Sequence, residues 1–193
     1  MDLPWPLESR PDLRDRLVEA YSSERGYHDL RHLAEVLDRL EALGASDDTD
    51  VVLAAWYHDA VYDTTGDNEE RSARLAESDL AGTPGVDVAE VARLVRLTTT
   101  HSPGPGDRNG GLLCDADLGI LAAPPGRYAE YVADVRREYA AVPEPEFVRG
   151  RLAVLEQLAA KESLFHTDLA RQEWEPPARA NLEREIAELR ARL

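Results

Sequence analysis

Val51-Val-Leu-Ala-Ala-Trp-Tyr-His-Asp-Ala-Val-Tyr62 decides the fold reading. The segment is apolar almost all round, and Thr49 or Asp50 stands before it as a helix cap. Such a pattern predicts a central helix over Val51–Tyr62, packed on every side by others. It also carries His58 and Asp59 into the interior. An unpaired carboxylate there would cost several kcal/mol, and the nearest basic residues along the chain are Arg39 and Arg71. A metal ion would supply the missing charge. Imidazole and carboxylate suit Mn, Fe, Co, Ni or Zn, and Mg where carboxylates dominate.

The flanking segments read as further helices. Pro11–Tyr21 opens on a proline and repeats Leu13, Leu17 and Tyr21 every four residues. His28–Leu43 has an amphipathic pattern closed by Gly44, and it puts His28 and His32 on one side. Glu69–Leu80 starts at Asp67 or Asn68, and Asp87 caps Val88–Thr99. Ser102–Gly111 is rich in Gly and Pro and reads as a long loop. Helices over Leu112–Leu121, Pro125–Val142, Glu146–Lys161 and Ala178–Leu193 follow, the last after Pro176-Pro177. Two places oppose a helix: the β-branched run Thr98–Thr100, and Leu112-Leu-Cys114, which could form a short strand. The expectation is an all-α single domain, with no repeat and no linker.

Composition narrows the function. There are 193 residues, 38 acidic and 22 basic, for a formal net charge of −16. That argues against binding a nucleic-acid polymer but not against a nucleotide-sized ligand. Lys161 is the only lysine, which reads as a composition bias. A single cysteine, Cys114, excludes an internal disulfide and a multi-Cys zinc site, and fits a reducing, cytoplasmic setting. Met-Asp-Leu-Pro-Trp-Pro-Leu-Glu at the start lacks the features of a signal peptide, and no apolar run is long enough for a membrane span.

Four stations in order, His32, His58-Asp59 and Asp117, resemble the H…HD…D signature of the HD-domain superfamily, helical metal-dependent phosphohydrolases. Tyr27-His-Asp-Leu-Arg-His32 is similar to the Tyr-His-Asn-x-x-His segment of its cyclic-nucleotide phosphodiesterase relatives, with Asp29 in place of Asn. Ala54-Ala-Trp-Tyr-His-Asp59 and Ala116-Asp-Leu118 match two further elements. His58–Asp63, Asp67–Ser72 and Cys114–Leu121 resemble a bacterial subgroup described as predicted metal-dependent HD phosphohydrolases. The resemblance gives an HD core over about 27–121 and a helical extension over about 122–193.

The resemblance implies His32, His58, Asp59 and Asp117 as metal ligands. His101 is a candidate ligand of a second ion, with Asp59 as bridge, so one or two divalent ions are expected. Asp115 is read as a partner that orients a ligand histidine. His28 is assigned as general acid. Glu70, then Glu69, is the candidate base or water positioner, although acids also suit a helix N-terminus. Arg71, Arg136 and Arg151 are candidates to bind the substrate phosphate. Trp56, Tyr57, Tyr62, Tyr128, Tyr131 and Tyr139 read as packing aromatics.

The implied activity is hydrolysis of a small phosphate ester or nucleotide by a metal-activated water. The alternatives are an HD-fold di-iron oxygenase and a non-catalytic module that binds a nucleotide or metal. The stripe Leu182, Ile186, Leu189 and Leu193 could join two copies as a homodimer or dock on its own core.

Overall fold

The computed structural model describes residues 3–23, 25–63 and 66–193. Met1 and Asp2, which open the stretch read as no signal peptide, lie outside the described residues. The described residues form ten α-helices and no strand, as the all-α reading expects. In chain order these are α1 (Pro11–Tyr21), α2 (Leu30–Ala42), α3 (Thr49–Tyr57), α4 (Asn68–Leu80), α5 (Val88–Leu97), α6 (Arg108–Leu118), α7 (Pro125–Glu138), α8 (Glu144–Ala159), α9 (Asp168–Glu173) and α10 (Glu175–Arg190). A 3-10 turn, Gly119–Ala122, follows α6. No described helix is long and apolar enough to cross a membrane.

The helices bury two adjoining apolar cores. Leu13, Leu33, Leu53, Trp56, Leu80 and Leu94 typify the one built by α1 to α6. The other gathers Tyr128, Tyr131, Leu155, Phe165 and Leu182 around α7 to α10. Helix α3 is the centre of the first: every residue from Val51 to Tyr57 is buried. Leu182, Ile186 and Leu189 are buried in the protein's own second core, whereas Leu193 is 63% exposed. Three of the four stripe residues are thus used in the protein's own core.

Several boundaries differ from the periodic pattern, at α2 and α3 because a side chain competes with the helix. Helix α2 begins at Leu30, not His28, because Asp29 turns its carboxylate onto the N–H groups of Arg31 and His32. His28 therefore lies outside the helix, and the shared face with His32 is not formed. Helix α3 is capped by Asp48 and stops at Tyr57. Beyond it the Arg25 guanidinium takes the carbonyls of Asp59 (2.6 Å) and Ala60 (3.0 Å), and Val61 N–H goes to Ser72 Oγ. Tertiary partners replace the helical ones, so His58-Asp59 sits on a turn.

The loop expected over Ser102–Gly111 is shorter. Asp107 caps α6 through Gly110 N–H, and the two glycines enter the helix because it packs closely there. A Cβ on Gly110 would lie 2.7 Å from a Leu97 methyl, and one on Gly111 would lie 3.2 Å from the His166 Cβ. Leu112-Leu-Cys114 is accordingly helical. Thr98–Thr100 ends α5 in a turn. Arg136 holds the carbonyls of Tyr139 and Val142 and so closes α7 early. Helix α10 takes Pro176 and Pro177 into its first turn, where their missing N–H groups cost nothing.

Candidate functional site

Five chain segments converge where the two cores meet. His32 comes from the first turn of α2, and His58 and Asp59 from the turn after α3. His101 follows α5, Asp117 stands near the end of α6, and His28 precedes α2. His32 and His58 are each 1% exposed. Their Nε2 atoms face each other at 3.0 Å. Asp59 Oδ2 lies 3.0 Å from His58 Nε2 and 3.3 Å from His32 Nε2. Asp117 Oδ1 approaches the same two nitrogens at 3.3 and 3.7 Å.

This donor set fits a metal ion. The coordinating atoms of His32, His58 and Asp59 lie close enough together to hold a cation, and Asp117 Oδ1 stands beside the two imidazoles. His58 Nδ1 donates to the Ala55 carbonyl at 2.7 Å, which leaves the Nε2 lone pair directed at the cluster. His32 Nδ1 is buried with no protein partner among the described residues. Arg39 is spent on Glu35 and the Ala116 carbonyl, and Arg71 on Asp63, so neither neutralises Asp59.

Without a metal, the histidines serve as the counter-charge. Burial alone would push the His58 imidazole down, but the Asp59 and Asp117 charges outweigh it and carry it up to about 9. His32 is raised too, against burial, by hydrogen bonds to Asp117 and Asp59. Burial would lift both carboxyls; instead His58 holds each well below the usual range, helped by His28 at Asp59 and His101 at Asp117.

His101 reaches Asp117 through the other carboxylate oxygen, Nε2 to Oδ2 at 2.7 Å. Asp117 therefore contacts both the His32–His58 pair and His101. The imidazole is aimed by an unusual backbone. His101 has φ 47°, a left-handed conformation that costs a non-glycine residue about 1 kcal/mol or more. Its N–H bonds Leu97 O at 3.0 Å, and Lys161 Nζ binds its carbonyl at 2.9 Å and that of Thr100 at 3.1 Å. The single lysine, read above as composition bias, thus pins the turn that presents His101.

His28 is fixed by a residue the sequence did not point to. Glu138, at the end of α7, accepts the His28 Nδ1 proton at 2.6 Å and the Tyr62 hydroxyl at 2.7 Å through Oε1. Its Oε2 takes the backbone N–H groups of Gly26, Tyr27 and His28. Burial would raise this carboxyl, but the His28 and Tyr62 contacts bring it down to about 2. Gly26 is obligatory, since a Cβ there would collide with the Asp134 carbonyl and Glu138. Tyr62, expected as packing, instead stacks on the His28 ring at 4.2 Å. Glu138→Ala would strand three backbone donors and is expected to cost about 3 kcal/mol in urea unfolding. Glu138→Gln, which can still accept from them, should recover part of that loss.

The remaining expected residues divide. Glu69 lines a cavity of about 340 Å³ together with His28, Asp59, Tyr62, His101 and Asp117. Glu70 does not: Arg96 (2.5 Å) and Arg74 (2.8 Å) bind it on the outer side of α4 and bring its carboxyl down to about 2. Neighbours on a helix point roughly 100° apart, so only one of the pair faces inward. Asp115 likewise points away from Asp117. It accepts the N–H groups of His166 (2.8 Å) and Thr167 (2.7 Å) and orients no ligand histidine.

Each of the three arginines offered for phosphate is paired with a carboxylate in the structure. Arg71 pairs with Asp63 at 2.5 Å. Arg136 pairs with Glu144 and caps α7. Arg151 does border the site, but its guanidinium is bound by Glu185 at 2.8 and 3.2 Å and lies over the Tyr131 ring.

Comparison of the chain with models of protein families, with curated proteins and with solved structures finds no match.

Proposed function

We propose that this protein is a metal-dependent phosphohydrolase of the HD type, acting on a small phosphate ester or nucleotide. The observation that carries the reading is the buried cluster of His32, His58 and Asp59, with Asp117 beside its two imidazoles and no arginine or lysine side chain among them. A divalent ion held there would supply a nucleophile at neutral pH and offset charge on the phosphoryl oxygens. Mn, Fe, Co, Ni, Mg and Zn are all candidates, and His101, in contact with Asp117, is the candidate ligand of a second ion.

The chain's own groups complete the chemistry. With Nδ1 bound to Glu138, His28 has Nε2 left to hold a proton and pass it to the departing alkoxide. Glu138 keeps that ring oriented. Glu69, on the cavity wall, orients the attacking water or accepts its proton. The Tyr62 ring, stacked on His28, shields one face of the imidazole.

The reading is tested by phosphate release from nucleoside monophosphates, cyclic nucleotides and simple esters, with each of the six metals. Turnover that a chelator abolishes and metal restores is the expected outcome. A metal-loaded protein that turns over none of them would contradict the proposal, and tight nucleotide binding without turnover would assign a binding module instead.

A further inference from the structure

One face of α8 runs alongside the candidate centre and on into a second, apolar recess. Phe147, Gly150, Arg151 and Val154 follow i, i+3, i+4, i+7 spacing and so form a single stripe. They border a cavity of about 450 Å³ whose other wall includes Tyr131, Val135, Tyr139 and Val142. Tyr27, His28, Tyr131, Arg151 and Val154 also border the adjoining cavity of about 420 Å³ that holds Glu69, His101 and Asp117. His28 stands at the junction of the two.

Two features mark the recess as kept open for a ligand. Gly150 is inside a helix, where glycine is about 1 kcal/mol less favourable than alanine. Yet nothing lies within 4 Å of where its Cβ would be, so packing does not require it. Val154, on the lip, is 49% exposed. The recess is poor in available charge: Arg151 is bound by Glu185, and among the described residues the one acid on its wall is Glu146. Its lining suits a ring or hydrocarbon, not a second phosphate.

Building on the phosphohydrolase reading, we infer that the α7–α8 recess receives the apolar, ring-sized organic group of the substrate's leaving alcohol, with the phosphoryl group at the His32–His58–Asp59–Asp117 cluster. The substrate class is then a phosphate ester of a hydrophobic or aromatic alcohol, uncharged outside its phosphoryl group. In the reaction, water oxygen bonds to phosphorus, the P–O bond to that alcohol breaks, and the alkoxide takes its proton from His28 Nε2.

The test compares 2-(1-naphthyl)ethyl phosphate with ethyl phosphate on Mn-loaded protein, since the two leaving alcohols are of similar basicity. The first is expected to have at least about tenfold higher kcat/KM. Gly150→Leu and Val154→Arg, which fill the recess from exposed helix positions, should bring the ratio close to one. A readout independent of turnover is fluorescence titration with 2-(1-naphthyl)ethanol. Saturable binding by the unaltered protein, weakened about tenfold or more in Gly150→Leu, supports the recess even if no ester is hydrolysed, in which case only the hydrolase reading falls. No binding of the naphthyl alcohol, equal binding in both variants, or equal turnover of the two esters would overturn the inference.

Discussion

Asp59→Asn is expected to lower metal-dependent phosphate release on the order of 10³-fold while leaving the helical fold intact. Asparagine keeps the shape of the side chain and removes only its charge. The backbone contacts of Asp59, its N–H to the Tyr21 hydroxyl and its carbonyl to Arg25, do not involve the carboxylate. What is lost is an anionic oxygen 3.0 Å from His58 Nε2 and 3.3 Å from His32 Nε2, with nothing to replace its charge. In metal-free protein the same change removes a charge that helps carry the His58 imidazole up to about 9, so its titration should move downward. Phosphate-release assays and circular dichroism check the first expectation, and histidine NMR titration the second. A variant that keeps more than a tenth of the normal rate would show that the carboxylate is structural.

The stability of metal-free protein should fall as pH rises from neutrality, the reverse of the metal-loaded form. His58 titrates near 6.5 when unfolded and at about 9 when folded. A raised folded pKa contributes stability that is fully present below 6.5 and is lost as pH passes through 9. The whole span corresponds to about 3 kcal/mol at most, or roughly 10 °C in Tm for a chain of this size. Asp59 and Asp117 act in the opposite window. Their depressed carboxyls contribute above the ordinary carboxylate range, and that contribution disappears as pH falls through their folded values. Metal-free protein should therefore be most stable between those limits. A bound cation instead needs deprotonated imidazoles, so metal-dependent stabilisation should grow with pH. Thermal melts from pH 5 to 9, with chelator and with Mn, measure both trends. Parallel curves in the two conditions would contradict a shared site for protons and metal.

The helices were legible because burial leaves a periodic mark. Pro11–Tyr21 agrees with the structure at both ends, and the apolar Val51–Tyr57 run is the buried helix expected. What periodicity could not show is where a side chain outbids the helix, through a tertiary contact as Arg25 makes beyond His58, or through a local cap as Asp29 makes beside His28. Among the site residues, His32, His58, Asp59, Asp117 and His101 lie near one another; the family resemblance, not their spacing, had pointed to them as a set. Glu138 and Lys161 had no local signal. Each acts across more than fifty residues of chain, one on His28 and the other on the His101 carbonyl. Two choices were open to better geometry. Asp115 and Asp117 are two apart on one helix and so face roughly opposite ways, and the same argument separates Glu69 from Glu70.

Metal content tests the central claim most directly. The protein would be purified, stripped, reloaded with Mn, dialysed, and analysed for bound metal beside His58→Ala and Asp59→Ala. Retention of at least one ion per chain by the unaltered protein, with loss in both variants, is the predicted result. Full retention of metal in either variant, or none in the unaltered chain, would contradict the assignment of His32, His58, Asp59 and Asp117 as its ligands.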